Sequence, residues 1–138
     1  MKIVSVALVV FAAALAAGCT NEATTPSQQP AFTKIDLSLG NGNVAALGNT
    51  LTVNYSGWLY DPTKPDFKGL PFDSANNFQF SLGTGSVIAG WDQGLTGMNV
   101  GGLRRLLIPA SLAYGANRNG KIPPNAALVF DIQLVNVQ

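Results

Sequence analysis

A chain of 138 residues with eight Lys and Arg, seven Asp and Glu and no histidine carries a formal charge of +1, and only 11% of it is charged. That length suits one domain. The absence of histidine excludes a Ser-His-Asp triad and a His-ligated metal, and one cysteine can make neither a thiolate zinc site nor an intrachain disulfide. No basic stripe of the kind that phosphate-backbone binding requires is present, so nucleic acid is not an expected partner.

At the N-terminus, Lys2 precedes an uncharged apolar run from Ile3 to Leu15, and Ala16-Ala17-Gly18-Cys19 follows with the small residues of a cleavage site. Residues 1–18 therefore read as an export signal. A spanning helix fits less well, since it needs about 20 apolar residues and a Thr/Pro/Gln-rich stretch follows at once. Cys19 after Ala-Gly resembles a bacterial lipobox, although Leu15 sits one position further upstream than that pattern prefers. The resemblance implies lipidation of the Cys19 sulfur and a lipid anchor in the membrane of the cell envelope, with ordinary secretory cleavage as the alternative. Thr20, rather than Asp, after the cysteine points to the outer membrane where the organism has one. Loss of residues 1–18 takes Lys2 with it and leaves seven basic against seven acidic residues, a net charge of zero. Residues 19–31 contain Pro26 and Pro30 and no apolar periodicity, which predicts a flexible tether, with the domain over residues 32–138.

Within that domain Ile35-Asp-Leu37-Ser-Leu39, Leu51-Thr-Val53-Asn-Tyr55 and Phe78-Gln-Phe80-Ser-Leu82 alternate apolar with polar, the pattern of half-buried antiparallel strands. Val87, Ile88, Trp91, Leu95 and Met98 break that period and suit one face of a helix, with Ser86 as its N-cap and Gly97 as its stop. Gly90 and Gly94 each cost about 1 kcal/mol of helix propensity relative to alanine, which predicts a short helix held by packing, with glycine admitting the sheet at close range. Leu103 to Ile108 is a fourth strand, its Arg104 and Arg105 pointing to opposite faces and expected at a solvated edge. Leu128 to Leu134 is the last, with its even-numbered positions aimed at the core. Five or more antiparallel strands and one short helix predict an α+β domain, a curved antiparallel β-sheet, or half-barrel, wrapped around the helix.

Cofactor chemistry finds little footing. Gly83-Thr-Gly85 with Ser-Val-Ile88 fails the dinucleotide-binding pattern at its last glycine, and no phosphate-loop lysine motif occurs. The carboxylates form no pair within one helical turn of each other, so a glycosidase-like couple has no local support. What remains is aromatic and aliphatic, and for any one of Tyr55, Phe72, Phe78, Trp91, Tyr114 and Phe130 core packing is the simplest role.

Taken together, Thr52-Val-Asn-Tyr55-Ser-Gly57, Pro71-Phe72-Asp73-Ser74, Val87-Ile-Ala-Gly-Trp91, Leu112-Ala-Tyr114-Gly115, Ile122-Pro-Pro124 and Phe130-Asp131 resemble, in order, the motifs of the FKBP-type peptidyl-prolyl cis-trans isomerases. The resemblance covers almost all of residues 50–138 and implies the same half-barrel. It implies a pocket with Trp91 as floor beneath a proline ring and Tyr55, Phe72, Phe78, Val87, Ile88, Ile122 and Phe130 as walls. The Ile88 backbone N–H and the Tyr114 hydroxyl would bind carbonyl oxygens of an extended ligand, and Asp73 would accept a hydrogen bond from Tyr55. Proline-containing polypeptides as substrates, macrolides of the FK506 and rapamycin kind as inhibitors, and no cofactor or metal are implied. A monomer is the default, since no dimerisation signal is visible. A module that keeps the pocket but serves as a binder or chaperone is the competing reading.

Three departures from the family pattern carry further expectations. The connection from Tyr55 to Phe72 is long, so Trp58 or Phe67 could pack on the pocket edge. No arginine lies between Asp73 and Phe78 to partner the aspartate, which leaves Tyr55 to do so. The segment Ala116-Asn-Arg-Asn-Gly-Lys121 brings Arg118 and Lys121 where apolar residues and histidine are usual, placing two cations to steer substrate choice.

Overall fold

The computed structural model describes residues 29–138; the segments expected to be an export signal (1–18) and a tether, up to residue 28, lie outside the described residues, as does Cys19. Strand-forming alternation yields β1 (Thr33–Ser38), β2 (Thr50–Tyr60), β3 (Lys68–Ser81), β4 (Leu103–Ile108) and β5 (Leu128–Val137), with one short helix, α1 (Ala89–Leu95). The strands form a single sheet in the order β1-β4-β5-β2-β3, and each neighbouring pair is antiparallel.

Directly opposed residues on neighbouring antiparallel strands share a face, so the register defines which side chains look inward. On β5 the even positions Leu128, Phe130, Ile132 and Leu134 are all buried. Opposite them stand Ile108 and Leu106 of β4, and Val53, Tyr55 and Gly57 of β2. This inner face receives α1, which buries Trp91 and Leu95. The approach is as close as glycine allows: a Cβ on Gly90 would stand 2.6 Å from Ile108 and one on Gly94 2.7 Å from Leu106. The helix thus gives up propensity for contact with β4.

The helix is shorter than its apolar spacing predicts. Val87 and Ile88 lie on the extended segment before it, where Ile88 has ψ 153°, and Met98 lies beyond it. Ser86 is not the N-cap; its hydroxyl donates to the Ser81 carbonyl instead. Gly97 does mark the stop, with φ +86°, two residues after Leu95. Nor do the two arginines sit at a solvated edge. Arg104 is buried on the inner face, where it donates to Asp36 at 2.7 Å and to the Gly94 carbonyl, at the C-terminal end of α1, at 2.8 Å. Arg105, on the outer face, pairs with Asp131 at 2.7 Å and Asp66 at 3.2 Å. Conversely, Ile35 and Leu37 of edge strand β1 are exposed, because they face away from the helix-covered side.

β3 departs furthest from the sequence pattern, running 14 residues where five alternating ones were evident. Its first half, with Gly69, Pro71 and Asp73, is poor in strand formers, yet an edge strand paired to β2 alone tolerates proline and irregular pairing. Its register shifts three times against β2. One shift falls between Val53↔Phe78 and Tyr55↔Ala75, where Asn77 takes φ +57° and its N–H donates to Asn54 Oδ1. The bulge flips parity along β3, from Phe78 and Phe80 to Ala75 and Asp73, so that Asp73 shares the inner face with Tyr55 and Phe78.

Candidate active site

The inner face of the sheet, the N-terminal end of α1 and the loop of residues 109–127 enclose a cavity of about 170 Å³. Its size is near the roughly 150 Å³ of an apolar cavity known to hold a benzene ring. Tyr55, Phe72, Asp73, Phe78, Val87, Ile88, Trp91, Tyr114 and Phe130 all line it. Of the pocket residues expected from sequence, Ile122 is the exception: it is buried and lines the adjoining groove with Phe72, Asp73, Tyr114 and Lys121.

Trp91 is the hub. Tyr55, Phe80 and Phe130 stand 5.0, 5.4 and 5.2 Å from its ring centroid, and Phe78 stands 6.1 Å away. Edge-on and tilted contacts at such distances are favourable beyond the area they bury. The indole N–H is buried with no hydrogen-bond partner among the described residues, a local cost of about 1–3 kcal/mol retained at this position. Phe130 and Phe72 meet edge-on at 5.5 Å above Gly57, where a Cβ would fall 2.7 Å from Phe72 and 2.8 Å from Phe130. Gly57 is therefore the residue that lets both rings close this side of the cavity.

A polar rim sits above the apolar floor. Tyr55 donates its hydroxyl to Asp73 Oδ2 at 2.7 Å, the partnership expected in the absence of an arginine. Burial and the Asp73 carboxylate together push the Tyr55 phenol far above its ordinary range, and burial followed by Asp73 raises that of Tyr114. Both tyrosines are thus neutral hydroxyls across the physiological range. The Tyr114 hydroxyl and the Ile88 N–H donate to no other described residue, so both remain available to a bound chain.

Two further residues shape this rim, Asp92, which the sequence pattern did not single out, and Ser86, which it singled out only as a helix cap. Asp92, in the first turn of α1, accepts from the N–H groups of Gly83 at 2.8 Å and Gly85 at 3.2 Å. It thereby fixes the turn, with φ +85° and +78° at the two glycines, that delivers Val87 and Ile88. Ser86 also lines the cavity. The Gly-Thr-Gly spacing was visible, but its anchor lay one element away. Neither residue expected at the pocket edge lines the cavity itself: Phe67 stacks on Tyr60 at 5.5 Å, and Trp58, in the adjoining groove, carries the Lys68 ammonium 4.1 Å above its ring. The long connection that held them is a pair of strand extensions, β2 to Tyr60 and β3 from Lys68. Trp58 lines a neighbouring groove with Phe72, Asp73 and Lys121, while Arg118 is exposed away from these cavities.

Arranged in this way, the cavity can take a small apolar ring on an aromatic floor and offer two hydrogen-bond donors to carbonyl groups at its mouth. The one serine lining it, Ser86, donates to the Ser81 carbonyl and has no carboxylate partner among the described residues. Comparison with known proteins agrees. Residues 41–135 match the family model of the FKBP-type peptidyl-prolyl cis-trans isomerases. The chain is 44% identical over 103 residues to the FK506-binding protein of Neisseria meningitidis serogroup B, covering 74% of this chain and 92% of that one. Among solved structures it is similar to FkpA from Escherichia coli, at 35% identity and a TM-score of 0.67, covering 78% of this chain and 48% of that one. It is likewise similar to a peptidyl-prolyl cis-trans isomerase from Pseudomonas syringae pv. tomato, at 36% identity and a TM-score of 0.65, covering 78% and 75% respectively. The chain belongs to the family of FKBP-type peptidyl-prolyl cis-trans isomerases.

Proposed function

We propose that the cavity over Trp91 binds the proline ring of an X-Pro segment in exported polypeptides and accelerates rotation about its peptide bond without covalent chemistry. The chemistry of the amide sets what the site must do. Resonance holds the peptide bond planar behind a barrier of roughly 18–20 kcal/mol, while the cis form of X-Pro lies only about 0.5–1 kcal/mol above trans. Twisting the bond breaks conjugation and lowers the amide dipole. An apolar, water-poor site therefore disfavours the planar ground state more than the twisted transition state, and every 1.36 kcal/mol of that difference gives about tenfold in rate.

In this mechanism Trp91, Phe130, Phe72 and Phe78 hold the ring and exclude water. The Ile88 N–H and the Tyr114 hydroxyl hold carbonyl oxygens on either side of the rotating bond, so that one part of the chain stays fixed while the other turns. Asp73 accepts from Tyr55 and orients that ring as a wall, with no proton-transfer role in the mechanism. The observation that carries the reading is the joining of an aromatic floor to two unused donors in one cavity of ring size. A macrolide of the FK506 kind would fill the same cavity and compete.

The export-signal pattern of residues 1–18 and the lipobox-like Cys19 support a site of action in the cell envelope, on a lipid anchor joined to the domain by the tether. There it would act on slow X-Pro isomerisation in proteins folding after export, which takes tens of seconds unaided. The test is a protease-coupled isomerisation assay on a proline tetrapeptide, with and without the macrolide, together with radiolabelled palmitate incorporation in the wild type and Cys19→Ala. Macrolide-sensitive acceleration supports the catalytic reading. Macrolide binding without acceleration would assign the cavity to binding alone, and equal labelling of the two chains would remove the anchor.

A further inference from the structure

The loop of residues 109–127 carries Tyr114 and Ile122 and is held internally by short-range turns, one isolated bridge, Asn119 with Ile122, and the bond from Asn125 N–H to the Gly115 carbonyl. Its two feet are tied together from outside by Gln29, a residue of the stretch that reads as tether. Gln29 Oε1 accepts from the Ala110 N–H at 2.7 Å, and Gln29 Nε2 donates to the Asn125 carbonyl at 2.9 Å. The Ala110 carbonyl accepts from Gly115 N–H at 2.8 Å, and the Gly115 carbonyl accepts from Asn125 N–H at 2.7 Å. These four bonds form a closed ring through Gln29, Ala110, Gly115 and Asn125.

The ring passes through the residue next to Tyr114. Gly115 and Asn125 both have φ +59°, the left-handed conformation that glycine adopts freely and asparagine more readily than other side-chain-bearing residues. Which end of the Gln29 amide points where is also determined, since a backbone N–H demands an acceptor on one side and a carbonyl demands a donor on the other. We propose that Gln29 is a positioning residue: it closes this ring, fixes the backbone at Gly115 and so holds the Tyr114 hydroxyl where it meets the substrate carbonyl. The inference rests on the isomerase reading of the cavity. It also makes the segment just before β1 part of the catalytic device, so that the chain entering the domain and the flap over the site are one hydrogen-bonded unit.

The test uses the full chain. Gln29→Ala removes both bonds, while Gln29→Glu keeps the acceptor and sets a carboxylate against the Asn125 carbonyl. In both variants the Gly115 and Asn125 amide protons are expected to exchange about fivefold faster or more, with β5 amides unchanged. The kcat/KM for a neutral proline peptide is expected to fall about three- to tenfold. Because Gln29 acts through Tyr114, the Gln29→Ala loss should be at least halved in a Tyr114→Phe background. Wild-type exchange rates at Gly115 and Asn125 in Gln29→Ala would overturn the clamp. Faster exchange with equal activity losses in both backgrounds would overturn its action through Tyr114. A wild-type chain without isomerase activity, whose two amides still respond to Gln29→Ala, would remove the isomerase reading and the positioning role with it while leaving the clamp standing.

Discussion

The floor and the rim of the cavity are built by different physics. The floor, around Trp91 and Phe130, is part of the hydrophobic core: both rings are 4% exposed and pack on residues from β2, β3, β5 and α1. The rim consists of exposed Asp73, half-buried Tyr114 and the loop 109–127; Asp73 has one hydrogen bond to Tyr55, and the loop has two to Gln29. The floor cannot be altered without disturbing the fold, whereas the rim can be retuned at small cost. This division suits the proposed mechanism, in which the rotation step uses an apolar environment and selectivity uses adjustable polar contacts.

The sharpest way to break the comparison is to truncate the floor. Phe130→Ala is expected to destabilise the domain by about 3–5 kcal/mol and to lower kcat/KM about thirtyfold or more in the fraction that remains folded, measured by chemical denaturation alongside the isomerase assay. Gly57→Ala attacks the same region by overfilling it, since the new methyl meets Phe72 and Phe130 within 2.8 Å. A stability loss of about 1–3 kcal/mol is expected, with weakened macrolide binding by titration calorimetry.

At the rim the effects should be smaller and confined to function. Tyr55→Phe leaves the ring and removes the bond to Asp73, so kcat/KM should fall about two- to tenfold with little change in denaturation midpoint. Rim charge should act more weakly still. Lys121 lines both grooves that adjoin the cavity, and Lys121→Glu should shift preference away from peptides with an acidic residue beside proline by about two- to fivefold, an effect that fades at high salt.

Acidity separates the cavity from the outer face of the sheet. No histidine titrates near neutrality, and both site tyrosines have raised pKa values, so activity should be flat from about pH 6 to 9. A raised tyrosine pKa contributes stability that is complete below about pH 10, the unfolded value, and is lost as pH rises through the folded one. Asp131 behaves oppositely. Burial alone would raise its carboxyl, but hydrogen bonds from Arg105 and Lys68 outweigh that and hold it below the ordinary range. Its contribution is present above about pH 4 and is lost as pH falls through the lowered value, which a denaturation series against pH would show.

Much of this arrangement was legible in the sequence because period two and ordered motifs report directly on a sheet with one buried face. β5 announces itself through Leu128, Phe130, Ile132 and Leu134, and Gly90 and Gly94 announce the close packing of α1 on β4. What escaped was set by tertiary context. The first half of β3 has the composition of a loop and becomes a strand because β2 offers it a pairing edge. Arg104 and Arg105 look like surface residues until Asp36, Asp66 and Asp131 come to them from distant segments. Ser86 looks like a cap, but Ser81 and the cavity claim it. Gln29 lies in a proline-flanked polar run, and no local signal reveals bonds to residues 81 and 96 positions away.

The most direct test of the account is the protease-coupled isomerisation rate of wild type and a folded Phe130→Ala variant, each with and without an FK506-like macrolide. The account predicts macrolide-sensitive acceleration by wild type and its near loss in the variant. Undiminished, macrolide-insensitive acceleration by the folded variant would contradict it.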